Sequence, residues 1–212
     1  MKSSLFPLPI LLLLATGPAG AAGPLVHDTG RYSQAVTECD RLAAHPDDPH
    51  RVAAGVPQSA VDLPAAIAAC ERAVSSDPRN PRLRYQLARV YGYSGQGERG
   101  VEHREAAIAG DYPQALFVVG FLHLEGLNQA TRDPCRAGQL IRRSAQYGRL
   151  AGQVGFPMWT LEGRFAGCDV PQEPAELLAF LDAAAARTSD FYQGSLIRLL
   201  RRDVEAAKSR GE

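Results

Sequence analysis

Two recurrences at nearly the same spacing constrain this chain more than any other feature. Leu124-Glu125-Gly126 returns as Leu161-Glu162-Gly163 at a shift of 37, and Ala106-Ala107 followed by Gly110 returns as Ser144-Ala145 followed by Gly148 at a shift of 38. A period of this length matches one supersecondary unit made of two helices. Such a unit cannot bury its apolar side alone and is stable only when stacked on its neighbours.

The sequence between these markers divides into helix-length stretches separated by turn residues. Apolar residues at helical spacing predict a first helix over Tyr32–Ala44, with Tyr32, Ala35, Val36, Cys39 and Leu42 on one stripe, stopped by His45-Pro46-Asp47-Asp48-Pro49. A loop then runs to Leu63. Asp62 reads as an N-cap, followed by a helix over Pro64–Val74 with proline in its first turn. After the break Asp77-Pro78-Arg79-Asn80-Pro81, helices are expected at Arg82–Tyr93, Gly97–Ala109, Pro113–Leu124 and Pro134–Tyr147, the last capped by Asp133. Leu150–Glu162 is expected to be kinked or split by Gly155 and Pro157. Pro174–Arg187 and Ser189–Lys208 complete the series. The glycine after each helix is read as its left-handed terminator, and no stretch alternates with the period of a strand.

Leu87-Ala88, Tyr91 and Gly95, followed by Ala106-Ala107 and Gly110, resemble the Sel-one-like repeats, a branch of the tetratricopeptide superfamily. Ala115–Gly126 carries the same pattern, and Asp77-Pro78-Arg79-Asn80-Pro81 resembles an inter-repeat link. The resemblance covers about Leu63 to Gly167. It departs from the family at His123, where tyrosine is usual, at Gln129–Arg132, which replace a Gly-Val loop, and at Pro157 in the third unit. The resemblance implies an all-α, right-handed solenoid of antiparallel helix pairs acting as an adaptor or scaffold. The chain would divide into a signal peptide (1–21), an N-terminal helix and loop tied to the repeats (22–62), the repeats (63–167) and C-terminal capping helices (168–212).

The leader reading rests on Lys2, the apolar run Leu5–Ala15 and the small residues Ala19-Gly20-Ala21, with cleavage expected near Ala21. The run is shorter than the roughly 20 residues a membrane-spanning helix needs, so no stable insertion is expected after cleavage. A periplasmic or secreted location follows. The mature chain then carries four cysteines, Cys39, Cys70, Cys135 and Cys168, an even number suited to disulfides in an oxidising compartment. If the helices bearing Cys39 and Cys70 pack antiparallel, the two lie at similar heights. In an alternating array, Cys135 in the first turn of its helix and Cys168 just past the next unit's helix share an edge. The expected pairs are Cys39–Cys70 and Cys135–Cys168. The competing use, a metal site or reactive thiols, lacks C-x-x-C spacing.

With 23 basic and 23 acidic residues the chain has no field to draw nucleic acid. No two histidines have helix-face metal spacing, no Gly-x-Ser-x-Gly elbow is present, and Gly95-Gln96-Gly97-Glu98-Arg99-Gly100 follows no strand, so neither an enzyme nor a cofactor is expected. Glu102, His103 and Glu105 read as a solvated helix face. Binding is the expected activity, toward a protein or peptide partner in the cell envelope. The resemblance assigns the first helix of each pair to an inner groove. Its candidate residues are Arg82, Tyr85 and Arg89 on one helix, Gln114, Phe117 and Phe121 on the next, and Trp159 beyond. The alternative implied by the cysteine-rich members of the family is beta-lactam binding or weak hydrolysis, although no Ser-x-x-Lys motif occurs. Ile197, Leu200 and Val204 are expected to seat the last helix as a cap, with Arg198, Arg201, Arg202, Lys208 and Arg210 facing water.

Overall fold

A computed structural model describes residues 24–211, so the leader reading lies outside the described residues. Within them the chain forms nine α-helices and two short 3-10 turns, and no strand. The helices are α1 (Glu38–Ala43), α2 (Leu63–Ser76), α3 (Pro81–Tyr93), α4 (Val101–Ala109), α5 (Pro113–Glu125), α6 (Pro134–Gln146), α7 (Leu150–Leu161), α8 (Pro174–Ala185) and α9 (Phe191–Gly211). Each packs on the next in chain order, and α1 also reaches α3 while α7 reaches α9. None is long and apolar enough to cross a membrane.

Local chemistry sets most of the boundaries. Asp62, Asn80 and Asp133 accept hydrogen bonds from the first-turn amides of α2, α3 and α6, and each is followed by a proline at the first or second helical position, where a missing N–H costs nothing. Gly126 closes α5 at φ 70°. The expectation that Gly110 closes α4 in the same way is corrected: Gly110 has φ −82°, and the left-handed residue is Asp111 at φ 54°. There is no space for a Cβ at Gly110, which would lie 2.8 Å from the Pro81 ring. Close approach therefore explains this glycine. Gly120 acts similarly on a larger scale: a Cβ there would fall 2.6 Å from the Ile141 side chain, so α5 and α6 touch along a glycine.

One expected helix is shorter than its pattern, and one expected split does not occur. The predicted helix over Tyr32–Ala44 shrinks to α1, because Thr37 and Asp40 form a reciprocal capping box that starts the helix there. Ahead of it the backbone is irregular, and Arg82 takes the carbonyls of Ser33 and Ala35 that a helix would have used. Ala35 and Val36 consequently face water rather than a core. Conversely, α7 runs unbroken through Pro157. Its packing on α6, α8 and α9 holds a residue that would end an isolated helix.

The core has two main parts. Cys39, Ala66, Cys70, Leu83, Leu87, Val90 and Tyr91 join α1, α2 and α3. A larger cluster centred on Ile141, Phe156, Phe165, Phe180 and Leu181 joins α6 to α9, with Ile197, Leu200 and Val204 seated in it as expected. One disulfide lies in each part, Cys39–Cys70 and Cys135–Cys168, and no described cysteine is free. Such crosslinks belong to an oxidising, extracytoplasmic compartment. The loop Leu127–Arg132 folds back on the preceding pair: Arg104 donates to the Asn128 carbonyl at 2.9 Å, and His123 Nδ1 lies 2.9 Å from the Thr131 carbonyl.

Candidate binding face

Helices α3, α5 and α7 share a face. The Gln114 amide on α5 donates to the Tyr85 hydroxyl on α3 at 3.2 Å and accepts from the guanidinium of Arg149, the residue that precedes α7. Phe117 on α5 stacks on Trp159 of α7 with ring centres 6.3 Å apart, and Phe121 lies 6.1 Å from the same indole. Contacts across the three helices thus join Tyr85 to Gln114, and Phe117 and Phe121 to Trp159, while Arg82 and Arg89 turn to the chain's N-terminal segment.

The α3 end is covered by the chain's own segment 24–62. Arg82 is fully buried. Its Nε donates to Asp40 at 2.8 Å, and its Nη nitrogens donate to the carbonyls of Ser33 at 3.0 Å and Ala35 at 3.3 Å. Burial alone would raise the Asp40 carboxyl, but hydrogen bonds from Arg82 and Thr37 outweigh it and hold it below its ordinary value. Arg89 donates to the carbonyls of Ala43 and Val56, both at 2.7 Å. Tyr85 is buried beneath the same cover, 5.9 Å from Tyr112, and burial pushes its hydroxyl pKa up. Arg82 and Arg89 therefore hold an internal segment, and Tyr85 is buried beside them.

A histidine cluster seals the middle. His27 packs against His50 at 4.8 Å and against Tyr112 at 5.6 Å, and its Nε2 is 2.8 Å from the Tyr32 hydroxyl. Burial, then the neighbouring His50, lowers the His27 pKa to about 4. Tyr112 donates to the buried Asp48 carboxylate at 2.6 Å. Burial raises the Asp48 carboxyl, and the Tyr112 bond opposes that rise.

Beyond the histidines the face opens into a cleft of about 510 Å³. Its walls include Phe117, Val154, Met158, Trp159 and Leu196, with Arg149 and Arg187 at the polar side and Asp47 and Pro49 at the rim. Gly155 makes room for the indole: a Cβ there would fall 2.7 Å from Trp159. Phe121 is half-buried in the large core and does not line the cleft. Arg149, Met158, Arg187 and Leu196 were not among the sequence candidates. The repeat could have found Arg149, because the shift of 37 that aligns the repeats places it on Tyr112. No family model, no curated protein and no solved structure matches the chain.

Proposed function

We propose that this chain is a non-catalytic interaction module of an extracytoplasmic compartment, built as a right-handed solenoid of Sel-one-like helix pairs, α3–α4, α5–α6 and α7–α8. It holds a peptide or protein partner of the cell envelope in the cleft bounded by α5, α7 and α9. The observation that carries this reading is that the same face already holds an irregular stretch of the chain's own polypeptide along α3. Its donors grip main-chain carbonyls there, and the surface continues past that stretch as an apolar cleft with cationic groups. Apolar and aromatic walls with a few fixed polar groups are the usual build of a recognition site.

Photocrosslinking tests the reading. A photoreactive residue at Leu196, on the cleft, is expected to capture a discrete envelope partner, whereas one at the exposed Gln139 on α6 captures none. Equal capture from both positions, or none from either, overturns it.

A further inference from the structure

We infer that the cleft takes a peptide carrying a carboxylate beside an apolar side chain, with the Arg149 guanidinium holding the carboxylate; this rests on the binding-face reading above. Asn80, Tyr112 and Arg149 precede α3, α5 and α7, and all three are buried. The first two each hold a polar group of segment 24–62. Asn80 donates to the Ser33 carbonyl at 3.1 Å, and Tyr112 donates to the Asp48 carboxylate. Arg149 is the third member of this row and holds nothing from that segment.

Arg149 is only 6 % exposed. Its Nε donates to Gln114 Oε1, and among the described residues neither Nη nitrogen has an acceptor. Neither nitrogen is sealed in the interior, and Arg149 lines the cleft. A guanidinium withdrawn from water without a counterion is costly, and a planar two-nitrogen fork matches a carboxylate. Asp47 stands at the rim beyond ion-pair distance, which leaves the position in front of the fork open while disfavouring a dianion. A singly charged carboxylate meets both conditions.

The neighbouring walls settle what lies beside the anion. Phe117 sits under the guanidinium, 5.6 Å from its carbon. Met158, Trp159 and Leu196 form the apolar remainder. Peptide rather than a free acid follows from continuity: Asp47 and Pro49, which line the cleft, lie in a turn of the segment that this face already binds.

Trp159 is the chain's single tryptophan and lies in the cleft, so its fluorescence reports occupancy. The probes are acetyl-Ser-Leu-Glu-Leu-Ser-amide, its Gln counterpart and 3-phenylpropionate. The Glu peptide is expected to give a saturable change, with the Gln peptide and phenylpropionate each at least about tenfold weaker. Arg149→Met should reduce the Glu peptide to the level of the Gln peptide without altering the latter, and Arg149→Lys should fall between. Equal binding of both peptides to the unaltered protein, a Glu preference surviving in Arg149→Met, phenylpropionate binding as well as peptide, or no change with the Glu peptide at millimolar concentration would each overturn the inference. Equal peptide binding that Phe117→Ala abolishes would remove the carboxylate and leave the cleft reading standing. Crosslinking from Leu196 judges that reading separately.

Discussion

The two ends of the α3–α5–α7 face are built from the same kinds of residue and are used in opposite ways. At the α3 end, Arg82 and Arg89 are matched by four carbonyls and a carboxylate from segment 24–62, and the surface is closed. At the α7 end, Arg149 meets one glutamine and an open cleft. Arginine and aromatic side chains on a presumed inner helix therefore do not by themselves mark a partner site. What separates the two ends is whether the chain supplies acceptors for the guanidinium groups.

The contrast can be broken most forcefully at Arg82. Arg82→Met leaves Asp40 buried without its cation, and a loss of about 4 kcal/mol is expected in urea unfolding. An effect below about 1 kcal/mol would mean the covering segment is not held as described. Next in size, removing the Cys39–Cys70 crosslink as a double serine variant should cost about 3.5 kcal/mol, and removing Cys135–Cys168 nearly the same, since the loops they close differ by only two residues (31 against 33). Only the first removal should also speed proteolysis within 24–62. Tyr112→Phe takes away the hydroxyl that satisfies Asp48, for an expected loss of about 1–3 kcal/mol in the same measurement.

Acidification probes the seal between the two ends. His27 and His45 both titrate near 4 when folded, lowered chiefly by burial from an ordinary 6.5. The unfolded chain therefore binds more protons between pH 6.5 and 4, and stability falls as pH drops through that window. His50 acts in the same direction, and the raised Asp48 carboxyl opposes it. The Tm is expected to be lower at pH 4.5 than at pH 7.5, with the difference reduced in His27→Gln. Smallest of all, Arg149→Met should change stability by less than about 1 kcal/mol. The gap between Arg82 and Arg149 is the comparison in its sharpest form.

Much of the fold is legible in the sequence. Helices from Leu63 onward are marked by local signals, an Asp or Asn cap, a first-turn proline, a terminal glycine, and these act within a few residues. The disulfide pairs followed from heights on neighbouring helices. Segment 24–62 was not legible, because what shapes it is distant. Arg82, some 47–49 residues away, takes the carbonyls that would otherwise have propagated a helix through Ala35. Pro157 shows the reverse case, in which a strong local breaker yields to packing on three sides. The site candidates divide for the same reason: residue type is alike along the face, and only the path of the remote segment decides which part of it is covered.

The Cys39–Cys70 crosslink has a consequence for how the molecule matures. Cys39 lies within α1, a six-residue helix too short to persist unaided. Before oxidation, α1 docks by its own contacts alone; afterwards it cannot drift from α2, and the carbonyls around it stay within reach of Arg82 and Arg89. Forming one sulfur–sulfur bond thus converts a reversible docking into a tethered one. A chain still awaiting oxidation would hold that cover through Asn80, Arg82 and Arg89 without the crosslink, so reduction is expected to loosen the closed end of the face before the open one.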